Sequence, residues 1–95
     1  MVYIDKVHYT RNSSGYEVID KIKWTNNLYE NATNECTKEQ MIDFINEDQS
    51  HKVKTKYYRN YWWIIGEDVR VVNDSYLRTD SNNISSDNLS DLPRY

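Results

Sequence analysis

The stretch Thr37-Lys38-Glu39-Gln40-Met41-Ile42-Asp43-Phe44-Ile45 decides the fold, because it is the one segment of this chain with a convincing helical pattern. Thr37 and Gln40 fit a capping box, in which each side chain bonds the backbone N–H of the other residue. The apolar residues after Gln40 fall on one stripe of a helix at this spacing. We therefore predict a helix that begins at Thr37, ends near Asp48 and covers one face of a sheet.

The segments before this helix have the alternation that is typical of β-strands. Residues 2–10 and 16–24 alternate apolar with polar side chains, and turn-forming residues that include Gly15 lie between them. These segments predict a β-hairpin. Residues 25–36 are rich in Asn and have no sustained period, so we interpret them as a loop.

The segments after the helix predict further strands. The period is two from His51 onwards, which predicts a strand that stays extended to Ile65. A turn at 66–68 and two strands at 69–73 and 75–79 follow. Residues 81–95 have few apolar anchors and form an irregular tail; the anchors are Ile84, Leu89, Leu92 and Tyr95.

The predicted fold class is α+β. We expect a small antiparallel or mixed β-sheet, with elements in the order β-β-α-β-β-β and the helix packed on one face. Ninety-five residues support one hydrophobic core, so we predict a single domain at 1–80 with the C-terminal tail, 81–95, clasped to it.

Composition and charge make some classes of function less favourable. With a net charge of -3, the protein lacks the excess of basic residues that draws a protein onto phosphate backbones. The chain has neither an apolar run long enough to cross a bilayer nor a charged-then-apolar leader, so we expect a cytoplasmic protein without a membrane partner. Cys36 is the only cysteine, which leaves no disulfide and no cysteine-based zinc site within one chain.

Three strings near the C-terminus resemble the closing signature of the uncharacterised family called domain of unknown function 3892. They are Val69-Arg70-Val71-Val72, Tyr76-Leu77-Arg78-Thr79 and Asp87-Asn88-Leu89 with Leu92-Pro93. The pairs Ile4-x-x-Val7 and Ile19-x-x-Ile22 and the helix start at 37–42 fall in the matching order. The resemblance implies a compact α+β domain of low-GC Gram-positive bacteria and their mobile elements, and it implies no reaction, cofactor or catalytic residue.

The first candidate site is the aromatic run between Tyr57 and Trp63, whose residue types dominate interface hot spots. On one interpretation this run is a central strand buried on both faces. On the other, part of it remains at the surface as anchors for a partner protein. Both interpretations stay open, and for the second we expect these anchors: Tyr58, Arg59, Tyr61, Trp62 and Trp63.

The second candidate is a row of basic residues, Lys52, Lys54, Lys56 and Arg59, with aromatic residues between them. At period two the lysines share one face of the sheet, where they could follow phosphates of a single-stranded nucleic acid. The alternative, which we favour, is an edge strand whose lysines prevent pairing with other chains.

The third candidate is the carboxylate set Asp80, Asp87 and Asp91, which lacks the spacing of a calcium loop. We expect a structural clasp instead, in which Asp87 caps backbone N–H groups, Leu89 and Leu92 pack at the rim of the core, and Arg78 pairs with a carboxylate. No metal and no cofactor are expected.

No motif predicts catalysis. His8 and His51 have no neighbouring carboxylate or serine in a recognisable catalytic motif, and with only two glycines the chain has no glycine-rich loop that could bind phosphate. We therefore predict a small non-enzymatic protein-binding module. The setting we expect is a phage or mobile-element protein that inhibits a host protein by direct binding, of the anti-defence or anti-CRISPR type. A nucleic-acid-binding accessory module is the alternative, and a homo-oligomer is a third hypothesis.

Overall fold

The structure is a computed structural model that describes residues 1–80 and 86–95. Within these residues the chain forms one helix and seven strands, which confirms the predicted α+β class. The predicted start of the tail at residue 81 and the expected anchor Ile84 lie outside the described residues. The elements are β1 Val2–Arg11, β2 Glu17–Thr25, β3 Asn34–Thr37, α1 Lys38–Glu47, β4 Val53–Arg59, β5 Trp62–Asp68, β6 Arg70–Val72 and β7 Tyr76–Arg78.

Five of the described strands form one mixed sheet in the order β3-β2-β1-β4-β5. Strands β1 and β4 run parallel, whereas the other neighbours in this sheet are antiparallel. Strands β6 and β7 form a separate two-stranded sheet, so the prediction that all strands share one sheet is wrong. The chain leaves the large sheet after Val69. Asn73 and Asp74, both in the left-handed conformation (φ 51° and 53°), form the turn that allows β6 to pair with β7.

The predicted helix start is confirmed. The hydroxyl of Thr37 accepts a hydrogen bond from the N–H of Gln40 (3.1 Å), and the side-chain oxygen of Gln40 accepts one from the N–H of Thr37 (2.9 Å). The helix ends at its C-cap, Asp48, as predicted. It packs chiefly against β2, β3, β6 and β7, where Met41 and Ile42 enter the core.

The aromatic run is a hairpin, so the prediction of one extended strand through Ile65 is wrong. Strand β4 ends at Arg59 and β5 begins at Trp62. The loop between them, Asn60-Tyr61, has φ angles of 53° and 68°, as in the two-residue turns that fit the twist of a hairpin. Asn tolerates this left-handed conformation, whereas Tyr seldom adopts it, and for that reason the sequence pattern hid the turn.

Two further boundaries differ from the prediction. Residues 34–36 of the predicted loop, together with Thr37, pair with β2 as the short edge strand β3. Gly66, predicted to form a turn, lies inside β5 at a β-bulge, where a Cβ atom would come within 2.2 Å of the Thr55 hydroxyl. The N–H of Glu67 donates to the same hydroxyl at 3.0 Å. Gly66 is therefore required because the backbone of β5 lies close to the Thr55 side chain at the bulge, and not because the chain turns there.

One core contains residues from the large sheet, the helix, the small sheet and the tail. Leu89 and Leu92 are buried in it, as expected of the tail. Arg78 pairs with Asp80 at 2.8 Å, which is one of the carboxylates considered for this role. The buried hydrophobic residues are Ile4, Val7, Ile19, Ile22, Ala32, Met41, Ile42, Val53, Val69, Val72, Leu77, Leu89 and Leu92.

Asp87 joins four parts of the molecule. Its carboxylate accepts hydrogen bonds from the N–H groups of Ile19 and Leu77, both at 2.9 Å, and from the ammonium of Lys38 at 3.1 Å. The side chain of Asp87 is 1% exposed and that of Lys38 is 11% exposed, so this ion pair is buried. The carboxylate thus connects the tail to β2, β7 and the start of the helix.

We predict that Asp87→Ala lowers the free energy of unfolding by about 3–5 kcal/mol, because the substitution leaves the Lys38 charge buried without a partner. Asp91→Ala is the matched control, since Asp91 is an exposed carboxylate of the same tail. Its effect should stay within about 0.5 kcal/mol. Urea unfolding of both variants measures the difference, and equal losses would contradict this role for Asp87.

Candidate protein-binding surface

The tip of the β4–β5 hairpin exposes large aromatic side chains. Tyr58 is 58% exposed, Trp62 is 70% exposed and Tyr61, in the turn, is 89% exposed. The alternative of a central strand buried on both faces is therefore wrong for this segment. Burying rings of this size would remove a large apolar area from water, which makes them the most favourable contact sites on the hairpin.

The five predicted anchors surround the tip and do not share one face. Tyr58 lies directly opposite Trp63, and their ring centroids are 5.2 Å apart in an edge-to-face arrangement. Arg59 lies opposite Trp62, and side chains that are directly opposite point to the same face of a sheet. Tyr58 and Trp63 consequently occupy one face, Arg59 and Trp62 the other, and Tyr61 lies between them in the turn.

A shallow groove of about 520 Å³ lies beside this tip, and we call it the aromatic groove. Its second wall is the loop between β2 and β3, which contributes Tyr29, 74% exposed, and Asn31. Sequence reasoning missed Tyr29, because an isolated ring in a loop without periodicity carries no signal of where it lies. The groove is lined by Tyr29, Asn31, Tyr58, Tyr61, Trp62 and Trp63.

Lys56 attaches this loop to the sheet. Its side chain is fully buried, and its ammonium donates to the carbonyl oxygens of Asn27 (3.2 Å), Leu28 (3.1 Å) and Glu30. These three carbonyls belong to one turn of the loop and converge on a single cation. The position of Tyr29, between Leu28 and Glu30, is therefore fixed by a charge beneath the loop.

Burial and the neighbouring carboxylates shift the pKa of Lys56 in opposite directions. Burial lowers the pKa of the Lys56 ammonium, and the neighbouring carboxylates of Asp5 and Glu30 act to raise it. Asp5 is also buried, lies 4.0 Å from the ammonium and accepts a hydrogen bond from the N–H of Ala32 in the same loop. The ring centroid of Trp63 lies 3.9 Å from the ammonium, within the range of a cation–π contact. The cation thus links the loop, β1 and the aromatic tip.

The predicted row of lysines is not one surface. Lys52 is exposed just before β4, Lys54 pairs with Asp68 at 2.9 Å, and Lys56 is buried, so it cannot meet phosphate. The expectation of a continuous basic row is therefore wrong at Lys56. The interpretation as an edge strand is wrong as well, because β4 lies between β1 and β5. Arg59 is exposed at the tip, apart from Lys54 and Lys52.

The two histidines have structural partners, and the one cysteine thiol is half-buried. His8 bonds the carboxylate of Asp20 at 2.5 Å, and His51 bonds the carbonyl of Phe44 at 2.6 Å. Burial and the adjacent Glu35 carboxylate raise the pKa of the Cys36 thiol to about 11. Within residues 1–80 and 86–95, no cluster of three or more His, Cys, Asp or Glu side chains is arranged to hold a metal ion. No helix in these ranges is long and apolar enough to span a membrane.

Comparison with known proteins finds one family model that matches nearly the whole chain. A family model with the description "Protein of unknown function (DUF3892)" matches residues 3–93. This is the family that the C-terminal strings resemble. Neither the curated proteins nor the solved structures contain a significant match. The matched range includes both walls of the aromatic groove and the buried Lys56 beneath it.

We predict that Lys56→Met lowers the free energy of unfolding by about 3–5 kcal/mol, because it removes the Lys56 charge from the buried Asp5 carboxylate and leaves three loop carbonyls without their donor. Lys52→Met is the matched control, since Lys52 is exposed and should tolerate the same change. Guanidinium unfolding gives the energies, and hydrogen exchange of the amides at 27–32 reports the loop. Unchanged exchange in Lys56→Met would contradict the anchoring role.

We predict that Cys36 reacts slowly in the folded protein, because a thiol with a pKa of about 11 is almost entirely protonated at pH 8. Iodoacetamide labelling at that pH should be at least about tenfold slower in buffer than in denaturant, where the thiol regains its ordinary pKa. Mass spectrometry follows the labelling. Equal rates in the two conditions would show that the thiol is accessible and activated in the folded state.

Proposed function

We propose that this chain, which belongs to the DUF3892 family of proteins of unknown function, is a non-enzymatic module that binds another protein through the aromatic tip of its β4–β5 hairpin. The observation that carries the proposal is the exposure of Tyr61, in the two-residue turn, and of Trp62, directly after it, beside a formed groove. The proposed anchors are Tyr58, Arg59, Tyr61, Trp62 and Trp63.

The backbone of the turn supports a functional interpretation of Tyr61. A residue with a side chain in the left-handed region costs roughly 1–2 kcal/mol relative to the right-handed region, and Gly or Asn would reduce that cost. Tyr61 adopts φ 68° while its ring remains 89% exposed, so contacts within the chain offset little of the strain. Strain kept at an exposed aromatic residue is typical of a binding site.

Contacts within the chain hold part of the groove in place, which would lower the entropic cost of binding. Lys56 fixes the Tyr29 loop from below, and Trp63 packs over the same ammonium while it contacts Tyr58. Side chains that are already ordered lose less conformational freedom on association than free ones. We therefore expect Trp62 and Tyr61 to enter a cavity of the partner, while the aromatic groove accepts an apolar protrusion from it.

The proposed setting is the cytoplasm of a host bacterium, where the chain acts as a phage or mobile-element protein. It would inhibit a host protein by occupying a functional surface, as anti-restriction and anti-CRISPR inhibitors do. The support is the small size of the domain, its net charge of -3 and the resemblance to a family of bacteria and their mobile elements. Direct occlusion needs binding groups and no catalytic ones.

We predict that Trp62→Ala weakens capture of the partner by about 30-fold, which corresponds to a hot-spot loss of about 2 kcal/mol. Arg59→Ala should weaken it in the same direction. The measurement is a pull-down from host lysate with quantitative mass spectrometry, followed by titration of the recovered protein. Tyr16→Ala is the matched control, because Tyr16 is a 72% exposed ring at the turn of the other hairpin.

The proposal fails if wild type, Trp62→Ala and Tyr16→Ala recover the same proteins in the same amounts. The titration is repeated at several salt concentrations, because phosphate-driven binding weakens steeply as salt rises, whereas aromatic anchoring changes little. A steep salt dependence with nucleic acid in the recovered material would instead support the accessory module that the basic residues suggest.

A further inference from the structure

Strand β5 ends the large sheet, and the turn determines which of its backbone groups point outward. In a two-residue hairpin the carbonyl of the residue before the loop bonds the N–H of the residue after it, so Arg59 and Trp62 form a hydrogen-bonded pair. Bonded and non-bonded pairs alternate along an antiparallel ladder. Ile64 therefore bonds β4, while Trp63 and Ile65 turn their N–H and C=O groups away from it.

These outward groups are available. In the described part of the chain, no backbone hydrogen bond from another segment reaches Trp63 or Ile65. The stretch from Trp62 to Ile65 contains no Lys, no Pro and no charge, and the bulge at Gly66 and the acidic Glu67 and Asp68 follow only after it. Ile65 is 44% exposed and Trp62 is 70% exposed beside it. Such an edge is a template for pairing with another strand.

A groove along the β4–β5 hairpin, which extends from Arg59 to Glu67, has room for the exposed Trp62 of another molecule. We call it the tail groove; its volume is about 560 Å³, and it lies between the hairpin and the tail. It opens beside Gly66, which has no side chain and lies next to Thr55. This groove is on the same face of the sheet as the side chains of Arg59 and Trp62. Its lining includes Thr55, Tyr57, Gly66, Ser90 and Leu92.

We propose that a second copy of this chain occupies the edge, so that two β5 strands pair antiparallel about a two-fold axis at Ile64. In this register Trp63 of each copy bonds Ile65 of the other, which forms about four backbone hydrogen bonds between outward groups. Trp62 of each copy lies opposite Gly66 of the other, and its ring enters the tail groove, so the dimer and the proposed partner would compete for this ring. The contact is isologous, because each copy supplies one ring and one groove.

The charges of β5 are compatible with this pairing. The acidic residues Glu67 and Asp68 follow the apolar stretch in each copy. In the proposed register Glu67 lies opposite Tyr61 of the other copy, and the two Glu67 residues are about 20 Å apart along the strands. Their repulsion is screened at that distance in physiological salt. A parallel pairing would instead place the acidic ends side by side.

Sedimentation of the purified chain over a range of concentrations tests the proposal without any host protein. We expect a reversible equilibrium between the 11.5 kDa chain and a species of twice that mass. Ile65→Pro should abolish the heavier species, because it removes an outward N–H that the monomer does not use. Tyr16→Ala should retain it. A monomer at every concentration, or a dimer that survives Ile65→Pro, overturns the proposal.

A cross-linking pair tests the register even if Ile65→Pro fails to fold. In a Cys36→Ser background, Ile64→Cys places two thiols opposite each other at the two-fold axis, within the Cα separation that a disulfide requires. Ile65→Cys is the matched control, because its two thiols would be offset along the strands beyond that separation. Oxidation should cross-link the first variant and not the second, and the reverse result excludes this register.

Discussion

The hydrogen bonds of the buried Lys56 ammonium are the interaction on which the proposed binding surface depends. A charge removed from water needs partners, and here the partners are three carbonyls of one loop, the Asp5 carboxylate and the face of Trp63. Hydrophobic packing organises the face of the sheet that carries the helix. On the opposite face a single cation replaces a second apolar layer, and it sets the distance between Tyr29 and the hairpin.

This arrangement explains how so small a chain can keep a formed groove. A domain of this length has apolar area for one core, and that core joins Ile4, Met41 and Leu77 on the helix side of the sheet. Among the described residues, most of the buried apolar side chains form this one cluster. On the opposite face, the Lys56 ammonium orders the seven loop residues 26–32 through hydrogen bonds to their carbonyls. Each of these bonds is directional and is strengthened in a buried environment.

The sequence predicted those elements whose signal is local. The capping box at Thr37, the first hairpin and the burial of Leu89 and Leu92 are confirmed, because each follows from periodicity or from residues a few positions apart. The turn at Asn60-Tyr61 was missed, since rings on both sides of it continue an apolar run without interruption. Lys56 appeared as an exposed base for a related reason: its burial depends on a loop 26 to 29 residues earlier in the chain.

The same turn determines why the aromatic residues are exposed at all. The helix packs chiefly against β2, β3, β6 and β7, so the tip of the β4–β5 hairpin extends beyond the layer that could cover it. Turning at Asn60 divides the rings between two faces and an open edge, and Trp62 and Tyr61 stay largely exposed in the monomer. Both proposals use this exposure: a partner would cover the rings at the tip, and a second copy would cover Trp62 along β5.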